Sequence, residues 1–312
     1  MQGNRRDFLK TVLAGGALLG LNASPLKSFA AKKEYEKLTI LHTNDTHSHI
    51  DPFPATDPKY AGMGGFARRA AMIKEIRSVE KNVLLLDAGD IFQGTPYFNM
   101  FNGEIELKLM SQIGYDAATI GNHEFDNGLD GIVSAMKFAN FPFISSNYDF
   151  SKTVLADKTL NYKIFFRNEI KIGVFGLGVA IDGLVSTANY GDTIYLDPYA
   201  KAAEMAHLLK KDLHCDLVIC LSHMGFSYKD DKTPSDVLLA KQSKNIDLII
   251  GGHTHTFINK PYKFSNSDKK DIYICQVGWA GLKLGRLDFY FDKKTNKKFV
   301  DAHTIKVFNK QV

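Results

Sequence analysis

The sequence predicts an α/β protein that ends in an antiparallel tail. Short, wholly apolar segments alternate with segments in which apolar residues recur at helical spacing, as in a sheet covered by helices. Near the end the helices stop, and strand-like segments follow one another. This order is typical of an α/β fold with a terminal run of antiparallel strands. The chain has 312 residues, 45% of them apolar and 23% charged, which are ordinary values for a globular protein.

The predicted elements follow the chain without an internal repeat or long linker. Strands are predicted over residues 37–41, 83–86, 117–120, 142–145, 217–221, 247–250, 272–277, 284–291 and 304–307. Helices are predicted over residues 65–80, 104–113 and 129–139, and from Pro198 onward. Asp197 before Pro198 favours a helix start, with the aspartate as N-cap and the proline in the first turn. We therefore expect residues 31–312 to form one domain.

The first 30 residues have the pattern of an export signal. Residues 5–10 read RRDFLK, an apolar and glycine-rich run covers residues 11–21, and residues 28–30 offer a small-x-small cleavage site. The paired arginines resemble a twin-arginine signal, which predicts cleavage near Ala30 and a periplasmic location. An uncleaved anchor is the alternative, but the run is shorter than the ~20 residues that a membrane span needs. We expect no stable span in the mature protein.

Charge and cysteine content exclude two classes of protein. The formal net charge is +5. The first 30 residues supply +3 of it, through Arg5, Arg6, Lys10 and Lys27 against Asp7, which leaves about +2 for the remainder of the chain. That nearly neutral balance argues against a nucleic-acid polymer as partner, because such a partner requires a basic face. Three cysteines with no close pair argue against a disulfide framework.

Polar residues follow five of the predicted strands. They are Asp45 and His47, Asp90, Asn122, His223, His253 and His255. Ligands of α/β sheets bind at the carboxyl ends of strands. Two carboxylates, four imidazoles and one amide, without a thiolate, suit divalent zinc, manganese, iron or cobalt. Seven ligands are too many for one tetrahedral zinc, so we expect two divalent ions that share a bridging carboxylate. Two ions roughly 3.5–4 Å apart can activate water and stabilise both oxygens of a phosphoryl displacement.

The same blocks resemble a known family. The patterns Asp-x-His, Gly-Asp, Gly-Asn-His-Glu, His and Gly-His-x-His, in this order, resemble those of the calcineurin-like metallophosphoesterases. Residues 40–45 (ILHTND), 89–96 (GDIFQGTP) and 121–128 (GNHEFDNG) are similar to the catalytic half of the bacterial periplasmic 5′-nucleotidases and 2′,3′-cyclic phosphodiesterases. The likeness covers roughly residues 37–307. It implies a four-layer α/β/β/α sandwich with a dinuclear metal site at the carboxyl ends of the strands.

The resemblance also implies a role for each site residue. It assigns the first metal to Asp45, His47 and His255, the second to Asn122, His223 and His253, and the bridging position to Asp90. It places Asn122 and His123 at the substrate phosphate, with His123 as the group that stabilises the leaving oxygen. Asp126 would keep the imidazole of His123 charged and oriented.

Other polar and aromatic residues receive structural interpretations. Glu124 is expected to contact a metal-binding side chain or the backbone rather than to act as a base, and His42 is expected to be packed within its strand. Asn44 is expected near the metal ligands. Trp279 and Tyr273 are interpreted as core packing or edge cover.

The sequence departs from the nucleotidases at its end. In those proteins a C-terminal domain holds the arginines and aromatic rings that bind the nucleoside, and we expect this domain to be absent here. One hypothesis is a separately encoded C-terminal domain protein as partner, with 5′-nucleotides or 2′,3′-cyclic nucleotides as substrates. A second is a domain that acts alone on non-nucleotide phosphate esters. A third, a non-catalytic binding partner, is disfavoured because every ligand and His123 are present.

Overall fold

The computed structural model describes residues 35–292 and 298–308, so the export signal predicted over residues 1–30 lies outside the described part. The strands are β1 (Tyr35–Thr43), β2 (Val83–Asp87), β3 (Ala117–Thr119), β4 (Phe143–Ile144), β5 (Tyr148–Asp149), β6 (Tyr162–Arg167), β7 (Ile170–Gly178), β8 (Ile194–Tyr195), β9 (Leu217–His223), β10 (Leu248–Gly251), β11 (Tyr262–Ser265), β12 (Asp271–Cys275), β13 (Lys283–Asp292) and β14 (Lys298–Lys306). The α-helices are α1 (Phe66–Val79), α2 (Pro96–Phe101), α3 (Glu104–Ile113), α4 (Gly128–Met136), α5 (Thr187–Tyr190), α6 (Pro198–His207) and α7 (Asp236–Gln242). A 3₁₀ helix covers His123–Asn127, and a π-helical turn covers Leu208–Asp212.

Twelve of these strands form two six-stranded sheets. The first sheet has the order β14-β13-β1-β2-β3-β4 and the second β11-β12-β10-β9-β7-β6, while β5 and β8 form a separate pair. In the first sheet β1 to β4 run parallel, and β13 joins β1 antiparallel. In the second sheet β7, β9, β10 and β12 run parallel, with antiparallel β6 and β11 at the edges. Each sheet therefore has parallel strands at its centre.

The two sheets pack face to face, and helices cover their outer sides. Ile40 and Leu84 of the first sheet share one buried cluster with Ile172 and Ile219 of the second. Helices α1, α3 and α4 pack on the outer side of the first sheet, and α6 and α7 on that of the second. Strands β2 and β9 are buried along their whole length, which explains their lack of alternation in the sequence. The predicted four-layer α/β/β/α sandwich is confirmed.

Most predicted element ends lie within two residues of those in the structure, although β14 begins at Lys298 rather than at Thr304. Helix α3 has the predicted bounds, and α6 begins at Pro198, with the side chain of Asp197 accepting a hydrogen bond from the backbone N–H of Ala200 at 2.7 Å. All three cysteines are free and buried. Within the described residues, no helix has the length and apolar character that crossing a membrane requires.

The predicted and the observed order of strands differ in two places. No element was predicted between residues 146 and 196, where the hairpin of β6 and β7 forms one edge of the second sheet. The segment predicted over residues 272–277 was assigned to an antiparallel tail. Its strand β12 pairs antiparallel to the edge strand β11, as in a hairpin, but its other neighbour is β10, to which it runs parallel. It therefore belongs to the second sheet, whereas β13 and β14 belong to the first.

Candidate metal centre

The candidate site lies where the parallel strands of both sheets end. Strands β1 and β2 end level, because Thr43 lies opposite Asp87. Strands β9 and β10 also end together, with Ser222 opposite Gly251. The loops that follow are therefore held side by side. Asp45 and His47 follow β1, Asp90 follows β2, Asn122 follows β3, His223 is the last residue of β9, and His253 and His255 follow β10.

The structure gathers six of the seven predicted ligands into two groups. Asp45, His47 and His255 form the first group, and Asp90, His223 and His253 form the second. Within each group the potential ligand atoms all lie within 4.8 Å of one another. The seventh residue, Asn122, adjoins the second group, because its Oδ1 lies 2.8 Å from Nδ1 of His253. This grouping has the same membership as the predicted pair of metal sites.

Asp90 lies between the two groups. Its Oδ2 is 3.0 Å from Nε2 of His223, in the second group, and 3.9 Å from Nε2 of His47, in the first. The other oxygen, Oδ1, accepts a hydrogen bond from the backbone N–H of His123 at 2.9 Å. The carboxylate is thus held by the backbone on one side and faces both groups with the other, the arrangement that a bridging ligand needs.

The orientation of the buried imidazoles fits divalent cations. Nδ1 of His223 donates to the carbonyl of Ala88 at 2.7 Å, so its Nε2 is the atom that faces Asp90, 3.0 Å from the carboxylate. A nitrogen lone pair and a carboxylate at this distance repel unless a positive charge lies between them. Either a proton or a divalent cation can supply that charge. His47 is oriented in the same way, with Nδ1 3.3 Å from the carbonyl of Phe92.

The electrostatics of the centre favour positive charge. Burial opposes the protonation of His223, but Asp90 and Asp45 outweigh burial and raise its pKa to about 10. Burial also disfavours ionised Asp90, yet the neighbouring His223 holds the pKa of that carboxyl below its ordinary value. Burial lowers the pKa of His253 to about 4 and also lowers that of His47. These two imidazoles are therefore neutral near pH 7, which is the form that binds metals.

The backbone of the ligand loops is unusual. Positive φ angles occur at Asp45 (49°), His47 (47°), Asp90 (54°), His253 (71°) and His255 (51°). Residues other than glycine rarely adopt this left-handed conformation, at a cost of roughly 1–3 kcal/mol each, and they concentrate at functional sites. Next to them, a Cβ at Gly252 would lie 2.7 Å from Nδ1 of His223. Backbone strain and close packing therefore accompany the convergence of the seven side chains at this site.

His123 stands beside the two groups and does not belong to either. Its ring centre lies 5.2 Å from that of His47, and its Nδ1 is 2.8 Å from Oδ2 of Asp126. This hydrogen bond raises the pKa of His123 against the opposing effect of burial. The carboxylate also fixes the ring, so Nε2 is the atom available to a substrate. Asn189 supports the arrangement by donating to the carbonyl of Asp126 at 3.0 Å.

Glu124 and Asn44 organise the ligand loops, as the sequence indicated. The carboxylate of buried Glu124 accepts backbone N–H groups from both the Asp90 loop and Gly121, at 2.6 to 3.3 Å. Asn44 accepts from the N–H of Val277 at 2.9 Å and donates to the carboxylate of Asp45. His42 is buried in β1, also as expected.

The sequence interpretation missed two residues next to the site. Trp279 was assigned to core packing or edge cover, but its ring stacks on that of His255. The two ring centres are 5.8 Å apart and the ring planes differ by 8°. Asp236 was not considered. It is fully buried, accepts a hydrogen bond from the hydroxyl of Ser222 at 2.5 Å, and its pKa is raised to about 8 by burial. Its position beside Ser235, which caps α7, looks in the sequence like an ordinary helix start. For Trp279, no feature of the sequence indicated a position beside the site.

Comparisons with known proteins agree with this geometry. The family model described as calcineurin-like phosphoesterase matches residues 38–257. The chain is 36% identical over 282 residues to a snake venom 5′-nucleotidase of Crotalus adamanteus, a match covering 83% of this chain and 46% of that protein. It is 35% identical over 309 residues to a 5′-nucleotidase of Vibrio cholerae, covering 91% of this chain and 54% of that one.

A solved structure extends the likeness to three dimensions. The crystal structure of a 5′-nucleotidase precursor from Thermus thermophilus matches with a TM-score of 0.78 and 31% identity. The match covers 87% of this chain and 55% of that one. The chain spans about half the length of the curated relatives it matches.

Proposed function

Because this chain belongs to the calcineurin-like phosphoesterase family, a family of metal-dependent hydrolases of phosphate esters, we propose that it releases phosphate from 5′-nucleotides. The observation that carries the proposal is the pair of ligand groups with Asp90 between them. The choice of 5′-nucleotides is supported by relatives of that name that are 33 to 36% identical. We further propose that 2′,3′-cyclic nucleotides are accepted by the same centre.

The ligand groups would hold two divalent cations. One would be bound by Asp45, His47 and His255, the other by Asn122, His223 and His253, with Asp90 shared. When bound, such ions lower the pKa of water and neutralise charge on the phosphate. The protein's own contribution is to hold these side chains in place through the hydrogen bonds of His223 to Ala88 and of the Asp90 loop to Glu124.

His123 would supply the proton chemistry. Asp126 holds its Nδ1, so the protonated ring directs its Nε2–H toward the oxygens of the phosphate and of the departing alcohol. Donation of that hydrogen bond stabilises the charge that develops on the leaving oxygen. Asn122, one residue earlier, would direct its amide toward the same phosphate. The reacting group is thus recognised by residues at the carboxyl ends of the strands.

We also propose that the protein acts outside the cytoplasm. The support is in the sequence of residues 1–30, where paired arginines, an apolar run and a small-x-small site follow one another. Fusing residues 1–36 to a reporter that is active only after export would test this, with Arg5→Lys and Arg6→Lys together as the control. A reporter that stays inside the cell with the native segment would contradict the proposal.

A substrate panel tests the proposed activity. AMP, a 2′,3′-cyclic nucleotide, a sugar phosphate and an aryl phosphate are offered with manganese, zinc or cobalt, before and after treatment with EDTA. We expect AMP to be hydrolysed fastest, the activity to disappear with EDTA, and added metal to restore it. His223→Ala, purified identically, controls for contaminating phosphatases. Turnover that EDTA leaves unchanged would contradict the metal assignment, and a preference for the sugar or aryl phosphate would contradict the nucleotide assignment.

A further inference from the structure

His255 differs from the other imidazoles of the centre in how it is held. Nδ1 of His47 and of His223 each contact a backbone carbonyl, the usual way in which a metal-binding histidine is oriented. In the part of the chain that the structure describes, Nδ1 of His255 has no such bond, and 40% of its side chain is exposed. Its Nε2 nevertheless lies 2.9 Å from Nε2 of His47 and 3.4 Å from Oδ1 of Asp45. Something else must orient the ring.

The indole of Trp279 covers one face of that ring. The two ring centres are 5.8 Å apart and the planes differ by 8°, which is a parallel stack. Trp279 is itself packed edge-on against His49 and Phe53, with ring centres 5.3 and 5.9 Å away, and against Tyr60 at 6.2 Å. Three neighbouring rings therefore fix the indole, and the indole lies flat on His255.

The backbone around Trp279 is fastened to both neighbouring ligand loops. The N–H of Ala280 donates to the carbonyl of Asp45 at 2.7 Å, and the N–H of Gly278 donates to the carbonyl of Thr256 at 3.1 Å. These bonds do not involve the indole. Replacing the side chain therefore leaves these backbone bonds in place and removes the ring contacts of the indole, including the stack on His255.

We propose that Trp279 is a positioning residue that orients His255 for a divalent cation by stacking on its imidazole. An imidazole that binds a cation becomes electron-poor, and the face of an indole attracts such a ring. The stack is therefore stronger with the cation than without it, so it favours the bound state. This inference rests on the proposed metal assignment of His255.

The full-length chain contains one tryptophan, so cation binding can be observed without turnover. EDTA-treated protein is titrated with Zn²⁺ by calorimetry and with Mn²⁺ by tryptophan fluorescence. We expect the emission of Trp279 to change on Mn²⁺ addition, and this response to be lost in His255→Ala. In the calorimeter we expect Trp279→Ala to weaken one of the two binding events by about 10–100-fold, the range for groups that orient metal ligands. Trp279→Phe, which keeps an aromatic face, should restore most of the affinity.

Phe166→Ala is the control, because it removes an exposed aromatic ring that lies opposite Lys171 at the starting end of β7, away from the ligand loops. It should bind Zn²⁺ as the native protein does, and circular dichroism should show that all variants are folded. Equal affinity of the native protein and Trp279→Ala would overturn the inference, as would an equal loss in Phe166→Ala. A native protein that binds no Zn²⁺ would instead overturn the metal assignment.

Discussion

The two ends of the parallel strands carry similar polar residues and use them differently. At the starting ends, Asp116, Asp216 and Asp247 each come directly before a strand, namely β3, β9 and β10. Each accepts a backbone hydrogen bond from the neighbouring strand at 2.8 Å, from Leu85, Lys171 and Val218 respectively. These aspartates therefore link neighbouring strands at the starting ends of the parallel strands.

At the carboxyl ends the aspartates have other surroundings. Asp116 and Asp247 pair with arginine or lysine, whereas among the described residues Asp45 and Asp90 form ion pairs only with histidines. Both also have positive φ angles, unlike the aspartates at the starting ends. The difference teaches that a carboxylate serves the fold where its charge is already matched. Where a carboxylate on a strained backbone faces only imidazoles, it is available for cations.

The largest effect we expect is on catalysis at the carboxyl ends. His123→Ala should lower kcat for AMP by about 10²–10⁴-fold, the usual contribution of a positioned acid. Cation content and unfolding temperature should stay unchanged, because the side chain is one-third exposed and belongs to neither ligand group. Steady-state kinetics and metal analysis by mass spectrometry measure both quantities. His207→Ala, at an exposed helix end, is the control, and near-native turnover of His123→Ala would refute the assigned role.

The next largest effect is on stability at the starting ends. Asp247→Ala removes the carboxylate partner of the Lys210 and Lys298 ammonium groups and the acceptor of the Val218 N–H. We expect a loss of about 2–3 kcal/mol, less than for a fully buried pair because 19% of the aspartate side chain is exposed. Urea unfolding measures it, with the exposed Asp271→Ala as control. The kcat of the folded protein should not change. A drop in kcat would contradict the conclusion that the aspartates at the starting ends serve the fold and not the reaction.

The same aspartate predicts a dependence of stability on pH. Burial acts to raise the pKa of Asp247, but Lys298 and Lys210 outweigh it and hold the pKa below its ordinary value. A lowered folded pKa means that the carboxylate stabilises the protein above its unfolded pKa of about 3.9. The contribution is lost as the pH falls through the folded value. The difference in unfolding free energy between the native protein and Asp247→Asn should thus be largest at pH 7 and should decrease in more acid solution. A difference that does not depend on pH would contradict the assigned effect of the two lysines.

The smallest effect should come from Asp216. This side chain is exposed, and its carboxylate has one backbone donor, Lys171, at 2.8 Å. Asp216→Ala should lower the free energy of unfolding by about 1 kcal/mol, the net value of a single hydrogen bond. Thermal unfolding followed by circular dichroism would show it. A loss as large as that of Asp247→Ala would mean that the backbone bond, rather than the matched charge, dominates at the starting ends.

Much of the candidate site could be predicted from the sequence because its residues follow strands directly. Asp90 comes three residues after β2, and His223 is the last residue of β9. In parallel sheets such positions converge at one edge, so local pattern and chain order are sufficient to gather them. That these residues bind metal ions stays a prediction, which the titrations above address.

The missed strand β7 shows what local pattern cannot reveal. It contains Gly173, Gly176 and Gly178, and glycine weakens a strand prediction because it is unfavourable inside strands. The structure gives the reason for two of them. A Cβ at Gly176 would lie 2.0 Å from the carbonyl oxygen of Ile144, and one at Gly178 would lie 2.3 Å from the ring of Tyr148. These two positions require glycine because segments distant in the chain lie in close contact there. That contact cannot be inferred from the local sequence pattern.

The sequence by itself determined most of the strands and helices and the residues that meet at the strand ends, because periodicity and chain order are local properties. Only the tertiary structure decided which sheet each of the last four strands joins. It also decided which aspartates are matched by lysine or arginine, and that the single tryptophan lies flat on His255. The physical reason is the same in each case. These features depend on contacts between residues far apart in the chain, whose energies depend on distance and orientation and leave no periodic trace in the sequence.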